Sequence, residues 1–309
     1  MKQAIKIKVI GVGGSGLNAI SRMSKSKIGG VELIAINTDI QDLNRVSADV
    51  KLRIGRKATQ GLGTGMKPEV GKKSALENKH EIVEILKGAD MVFITCGMGG
   101  GTGTGAAPIV AETAKEMGIL TLAVVTKPFS FEGQVRSRIA EEGLKNLKEK
   151  VDTLIIISND KLLSTLDSNV SLVNAFWYCD DILRQAVQGI SDLILLPGII
   201  NVNFADIKSI MANAGSALFG IAKAKEDGRA EKAAMAAITS PLLDLSIKGA
   251  KGVLFNVSGG KDISLLEIDQ VAKIITKEVN PEAKVIFGAI QDEKIKEGEI
   301  KVTVIATGF

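Results

Sequence analysis

The sequence predicts an α/β fold: a doubly wound, mostly parallel sheet, then a long central helix, then a smaller C-terminal α+β domain. Three observations carry this. The first half alternates short apolar runs with stretches of helical spacing, a long segment beginning near residue 171 is apolar on more than one face, and beyond it the order of elements changes.

The apolar runs are, in order, "IKIKVIG", "VELIAINTD", "ADMVFITC", "ILTLAVVT" and "VDTLIIISND". They are continuous rather than alternating, as expected of parallel strands covered on both faces. "PIVAETAKEMG" has helical spacing and a glycine stop. "SLVNAFWYCDDILRQAVQGISDLILL", Ser171 to Leu196, predicts a helix buried between two units and stopped by Pro197-Gly198. Beyond it "FADIKSIMANAG" and "EDGRAEKAAMAAI" predict helices, and "KGVLFNVSGG" predicts a strand. Ser264 with Glu267 forms a capping box opening another helix, and "KVIFGAI" and "IKVTVIATGF" are the closing strands. The expected division is residues 1–170, a central helix over 171–198, and a C-terminal domain over 199–309.

Composition narrows the function. The 39 basic and 35 acidic side chains leave a net charge of only +4, and aromatics are 4% without a basic patch around them, so nucleic acid is not an expected partner. Cys96 and Cys179 each lie inside an apolar segment and read as buried free thiols in a reducing compartment. No apolar run approaches the ~18 residues of a membrane span. The N-terminus enters a strand at once without a signal peptide, so a cytoplasmic location is expected. His80 is the only histidine and sits in the charged stretch "LENKHEIVEIL", where it reads as solvated; zinc sites and Ser-His chemistry are excluded, and no metal ligands are expected.

The unusual feature is "GMGGGTGTGAAP", Gly97 to Pro108, with six glycines in its first nine residues. A flexible linker would not sit between a buried strand and an amphipathic helix. A strand-to-helix turn of bare backbone presents N–H groups and the positive end of a helix dipole to one point, which suits a phosphate. No Gly-Lys-Ser/Thr ending follows, so the P-loop reading fails. A second loop, "GVGGSG" at Gly11–Gly16, satisfies G-x-G-x-x-G, and the next strand ends in Asp39. Alone that pair predicts an NAD-dependent dehydrogenase. Two glycine loops after separate strands suit a nucleoside triphosphate better.

A guanine base offers N1–H and N2–H donors and therefore wants an acceptor beside a flat apolar platform. Phe176 and Asp180 are four apart on the long helix and share a face. They can stack on and bond to a purine, or Phe176 can be plain core.

At this point the motifs resemble the tubulin/FtsZ superfamily, and within it the FtsZ family of bacterial and plastid cell-division GTPases. The resemblance runs through "NTD", "GADMVFITCGMGGGTGTG", "VVTKPFSFEG", "SNDKLL", "RQAVQGISDLI", "NVNFADIKSIM" and "VTVIATGF", nearly the whole chain. It implies GTP and GDP as ligands, with Mg²⁺ accompanying the triphosphate. Gly14, Ser15, Gly16, Leu17 and Asn18 would form the first nucleotide loop, with Leu17 where the family usually has glycine. Gly99, Gly100, Gly101, Thr102, Gly103 and Thr104 would form the phosphate-binding signature. Glu132 would accept from ribose and Arg136 would reach the nucleotide, a surface ion pair being their alternative. Phe176 would stack on guanine and Asp180 accept from its edge, assisted by Asn18. Trp177 and Tyr178 depart from the pattern and read as packing.

The resemblance also implies a head-to-tail homopolymer, in which the loop after the long helix enters the next subunit's site. Its pattern is Asn-x-Asp-x-x-Asp; here the residues are Asn201, Asn203 and Asp206, so an amide replaces the middle acid. The expectation is GTP hydrolysis completed in trans, or a structural GTP-binding filament with strongly reduced hydrolysis. Relatives usually continue into a linker and adaptor-binding tail, which this sequence does not show, so tail-mediated adaptor binding is not expected. Neither is membrane insertion.

Overall fold

The computed structural model describes residues 5–26, 29–166, 169–240 and 246–309. It forms two compact units, Met1–Gln188 and Gly189–Phe309. Residues 1–4, which the sequence reading runs directly into the first strand, lie outside the described residues.

In the first unit the strands are β1 (Ile7–Val12), β2 (Val31–Asn37), β3 (Val50–Arg53), β4 (Met91–Gly97), β5 (Leu120–Lys127) and β6 (Thr153–Ser158). They lie in the order β3-β2-β1-β4-β5-β6, and every pairing is parallel. The helices are α1 (Gly13–Lys25), α2 (Ile40–Arg45), α3 (Arg56–Thr59), α4 (Pro68–Glu77), α5 (Lys79–Leu86), α6 (Thr102–Glu116), α7 (Gln134–Lys148), α8 (Asn159–Leu163) and α9 (Leu172–Leu195). The units divide inside α9.

The continuous apolar strands are explained by cover on both faces. Ile10, Val12, Ile34, Ile36, Ile94 and Cys96 share a core cluster with Ala75, Ile82, Ala107, Val110 and Leu144 from α4 to α7. Side chains alternate along a strand, so Gly11 faces the other way. There α1 packs so closely that a Cβ on Gly11 would lie 2.4 Å from the Gly16 carbonyl oxygen and 2.5 Å from Ile20. Thus α1 covers one face and α4 to α7 the other, the doubly wound arrangement.

The second unit contains α10 (Phe204–Met211), β7 (Gly215–Lys225), α11 (Arg229–Ile238), β8 (Gly252–Gly259), α12 (Leu265–Glu278), β9 (Lys284–Gln291) and β10 (Glu299–Thr307). Its strands run β7-β10-β8-β9; β10 is antiparallel to β7 and β8, whereas β8 and β9 are parallel. Ala233, Ala237, Val271 and Ile275 of α11 and α12 pack on Val253, Phe255, Val302 and Val304.

Two local expectations are corrected. The helix expected over "FADIKSIMANAG" ends at Met211, because Ala212 is extended and Asn213 has φ 51°. Gly215 then opens β7, a strand the sequence reading lacked, as it also lacked the short β3. β7 reads GSALFGIAKAK, whose small residues and lysines carry little strand preference; nine paired positions with β10 hold it extended. The capping box is as expected, with Ser264 Oγ accepting from the Glu267 backbone. Among the described residues no helix is long and apolar enough to cross a membrane.

Candidate functional site

In the first unit, β1 leads into α1 towards β2, while β4 leads into α6 towards β5. The chain order reverses between β1 and β4, and in an open parallel sheet a crevice forms at the strand C-termini beside such a switch. A cleft of about 590 Å³ lies there, reached by Gly13, Ser15, Gly101, Thr102, Glu132 and Asp180 among others.

Of the helices that open on this cleft, α1 and α6 lack an N-terminal side-chain cap and have no acidic residue in the first turn. Their first N–H groups therefore need an acceptor from elsewhere. The glycines let the two loops touch. A Cβ on Gly13, where φ is 71°, would lie 2.9 Å from the Gly103 nitrogen, and one on Gly97 would lie 2.8 Å from the Ser15 side chain. The loop is set from below: Thr104 Oγ1 accepts from Gly99 N at 2.9 Å, and Met98 N donates to Thr126 O at 2.9 Å. Thr102 Oγ1 lies 2.8 Å from Thr38 Oγ1 and 3.4 Å from Thr64 Oγ1, a hydroxyl chain across three segments. Two convergent, uncapped helix starts in bare backbone make a receptor for anionic oxygens.

The far end of the cleft is different. Phe176 is 40% exposed and meets Phe129 edge to face, with centroids 5.2 Å apart. One turn on, Asp180 is only 6% exposed, and Arg22 Nε donates to its Oδ2 at 3.1 Å. Burial pushes the Asp180 carboxyl up to about 6; the Arg22 guanidinium opposes the rise and Asp181 adds to it. Cys179, beside it, is pushed by burial to about 12 and stays a thiol. Glu132 pairs with Arg136, and its Oε1 accepts from Phe129 N at 2.9 Å. The ion pair thus forms, and it forms on the cleft wall.

Of the residues expected here, Gly14, Ser15, Asn18, Gly100, Gly101, Thr102, Gly103, Glu132, Arg136, Phe176 and Asp180 line the cleft. Gly16, Leu17, Gly99 and Thr104 are buried and do not. Gly16 serves packing: a Cβ there would lie 2.6 Å from the Thr95 carbonyl oxygen. Trp177 and Tyr178 are half-exposed rather than core, and meet edge to face at 5.3 Å.

The sequence reading missed Thr64 and Asn159, which also line the cleft. Asn159 follows β6 directly, and its Oδ1 is buried without a partner among the described residues. An orphaned acceptor costs about 1–3 kcal/mol, and a ligand donor would recover it. Its position after a parallel strand, within "SNDKLL", was the available signal.

Asn201, Asn203 and Asp206 belong to the second unit. Asn201 Oδ1 accepts from Gly198 N at 2.8 Å. Asn203 caps α10: its Oδ1 accepts from Asp206 N at 2.8 Å, and Asp206 Oδ2 accepts from Asn203 N at 3.3 Å. The segment is anchored by Ile199 N donating to Ala289 O at 2.7 Å, while the three polar residues are exposed or half-buried.

A family model described as Tubulin/FtsZ family, GTPase domain, matches residues 6–167, and one described as FtsZ family, C-terminal domain, matches residues 215–309. An empty FtsZ dimer from M. jannaschii is 45% identical with TM-score 0.95, over 100% of this chain and 89% of that one. CetZ1 from Haloferax volcanii, a GDP-bound monomer, is 20% identical with TM-score 0.86, over 99% and 94%. CetZ2 from the same organism, a GTPγS-bound protofilament, is 22% identical with TM-score 0.81, over 98% and 92%; at these identities the two share the fold.

Proposed function

The chain belongs to the tubulin/FtsZ family, whose GTPase domain it carries, and from that premise we propose a head-to-tail polymerising GTPase of cell division that completes GTP hydrolysis at the subunit interface. The single observation that supports the ligand is the pair of uncapped helix starts meeting across one cleft that ends in Phe176 and Asp180. The triphosphate lies against Gly13–Ser15 and Gly100–Gly103, the ribose against Glu132 and Arg136, and guanine on Phe176 with Asp180 and Asn18 at its edge. Mg²⁺, when bound with the nucleotide, would neutralise phosphate charge. Asp39 and Asp42 on the cleft wall are the residues that would hold it, a donor set that fits a cation bound mainly through phosphates.

The hydrolytic group is the loop Asn201–Asp206 of a second copy. Asp206 orients the attacking water, and Asn203 can do so only through its amide oxygen. A slow-turnover structural filament is the second reading, favoured by the neutral amide at position 203. Against the dinucleotide alternative stands the second glycine loop, Gly100–Gly103, on the wall of the same cleft. The protein itself is the proposed partner, in the cytoplasm at the division site.

Phosphate release and light scattering across a dilution series test the assembly. Turnover per subunit should rise above an assembly threshold. Constant specific activity at all concentrations would mean a self-contained site and would remove hydrolysis in trans. Retention of NAD rather than guanine nucleotide after purification would remove the ligand assignment.

A further inference from the structure

Arg22 lies one turn beyond Asn18 on α1, outside the cleft, and nothing in the sequence marks it. Its guanidinium is nevertheless held from two sides. Nε donates to Asp180 Oδ2 at 3.1 Å, and Cζ lies 5.2 Å from the centroid of the Trp177 ring. Trp177 is braced in turn by Tyr178. The Arg22 side chain is 27% exposed and that of Asp180 8%, so the pair is largely out of water.

A buried carboxylate needs a counter-charge, and the neighbouring cations are otherwise engaged. Asp181 on the same helix faces Arg184 at 2.6 Å, and Arg136 across the cleft is paired with Glu132. Asp39 and Asp42, also on the cleft wall, add negative charge only. Arg22 is therefore the cation that Asp180 has among the described residues. It occupies Oδ2, and Oδ1 makes no hydrogen bond among them.

We propose that Arg22 is a positioning residue for base selection: it fixes the Asp180 carboxylate as an acceptor for the guanine edge, with Trp177 holding the guanidinium in place. This rests on the guanine reading of the cleft. Guanine N1–H and N2–H are matched best by an ionised carboxylate, which is acceptor-only; a protonated carboxyl keeps one acceptor and adds a donor that the guanine edge cannot use. Lysine could supply the charge but neither the planar stack nor the fixed Nε geometry. Because burial already lifts the Asp180 carboxyl towards neutral pH, loss of Arg22 should carry the protonated form into the working range.

The test is calorimetry of GTP and ATP binding between pH 5.5 and 9 for wild type, Arg22→Gln, Arg22→Lys and Asp180→Asn. Wild-type GTP affinity should fall only near and below pH 6. Arg22→Gln should lose about tenfold at pH 7, recover towards pH 9, and narrow the preference over ATP; a charged hydrogen bond is worth roughly that factor or more. Arg22→Lys should fall between. Asp180→Asn should be weak at every pH. Full GTP affinity in Asp180→Asn would overturn the guanine reading itself. Weak binding there combined with wild-type affinity of Arg22→Gln at every pH would overturn the role of Arg22 and leave the guanine reading standing. Tighter GTP binding by Arg22→Gln would also overturn it, since the pair would then compete with the base. If Arg22→Gln does not fold, Trp177→Phe loosens the guanidinium instead and should lose about two- to threefold with the same pH direction; an unchanged profile there counts against the proposal.

Discussion

Helices α10 and α12 of the second unit and helices α1 and α6 of the first begin in two different ways. In the second unit α10 and α12 begin with reciprocal capping boxes, Asn203 with Asp206 and Ser264 with Glu267, so the chain satisfies its own first-turn N–H groups. In the first unit α1 begins at Gly13 and α6 follows Gly101, both with no side-chain cap and no acid in the first turn. An uncapped start forgoes about 1 kcal/mol, so a pair of them aimed at one cleft marks where the fold leaves room for an anion. The capped starts also differ from each other. Glu267 is neutralised by Arg229 at 2.5 Å and is structural, whereas Asp206 has no ion pair among the described residues and remains available.

The largest effect expected from this contrast is at Asp206. Asp206→Asn should lower GTP turnover by about 10²- to 10⁴-fold, as for loss of a positioned proton acceptor, with GTP affinity unchanged because the residue lies outside the cleft. Phosphate release and calorimetry would check both halves. A parallel loss of binding would show that the two sites are not separable.

Next comes the glycine cradle. A Cβ on Gly103 would lie 2.8 Å from the Gly97 carbonyl oxygen, so Gly103→Ala must shift the loop, while Gly100→Ala meets no protein atom within 4 Å. A strain of about 1–3 kcal/mol predicts roughly a tenfold or greater loss of GTP affinity at position 103. Loss of similar size at 100 would mean that ligand contact, not loop strain, sets the cost.

Asn203→Asp should raise turnover about tenfold and shorten filament lifetime, as part of the general-base factor is restored. Aspartate caps a helix as well as asparagine does, so thermal stability should hardly change and a rate effect can be assigned to charge. Equal rates for wild type and variant would exclude the slow-filament reading.

The last effect is on stability. The folded-state Asp180 carboxyl is raised to about 6, so its contribution is fully present below the unfolded value near 4 and is lost as pH rises through 6. Asp180→Asn removes that loss. Denaturant titrations should show the variant more stable than wild type at pH 7.5 by about 1–3 kcal/mol, with the gap closing towards pH 4.5. A gap independent of pH would place the strain elsewhere than in the buried charge.

Much of this architecture was legible in one dimension. Apolar runs such as "MVFITC" cannot be solvated, so β1, β2, β4, β5 and β6 follow from hydrophobicity alone. Glycine at a strand-to-helix turn and Ser264 three residues before Glu267 are equally local signals. Phe176 and Asp180 share a face by helical period, and that face forms the far end of the cleft.

What depended on partners distant in the chain was not legible. β7 is extended because β10 pairs with it, and Thr64 reaches the cleft through a hydroxyl chain to Thr102. Gly16, expected in the first nucleotide loop, is pressed against β1 and β4, a close approach that its neighbours in sequence do not announce. Arg22 and Asp180 are 158 residues apart, and no periodicity relates them. Local sequence determined the elements, the glycine turns and the caps, because those depend on φ, hydrophobic period and first-turn hydrogen bonds. Only the tertiary structure decided which bare helix starts meet and which cation faces the buried carboxylate, because both follow from the strand order and from packing at distances of a few ångströms.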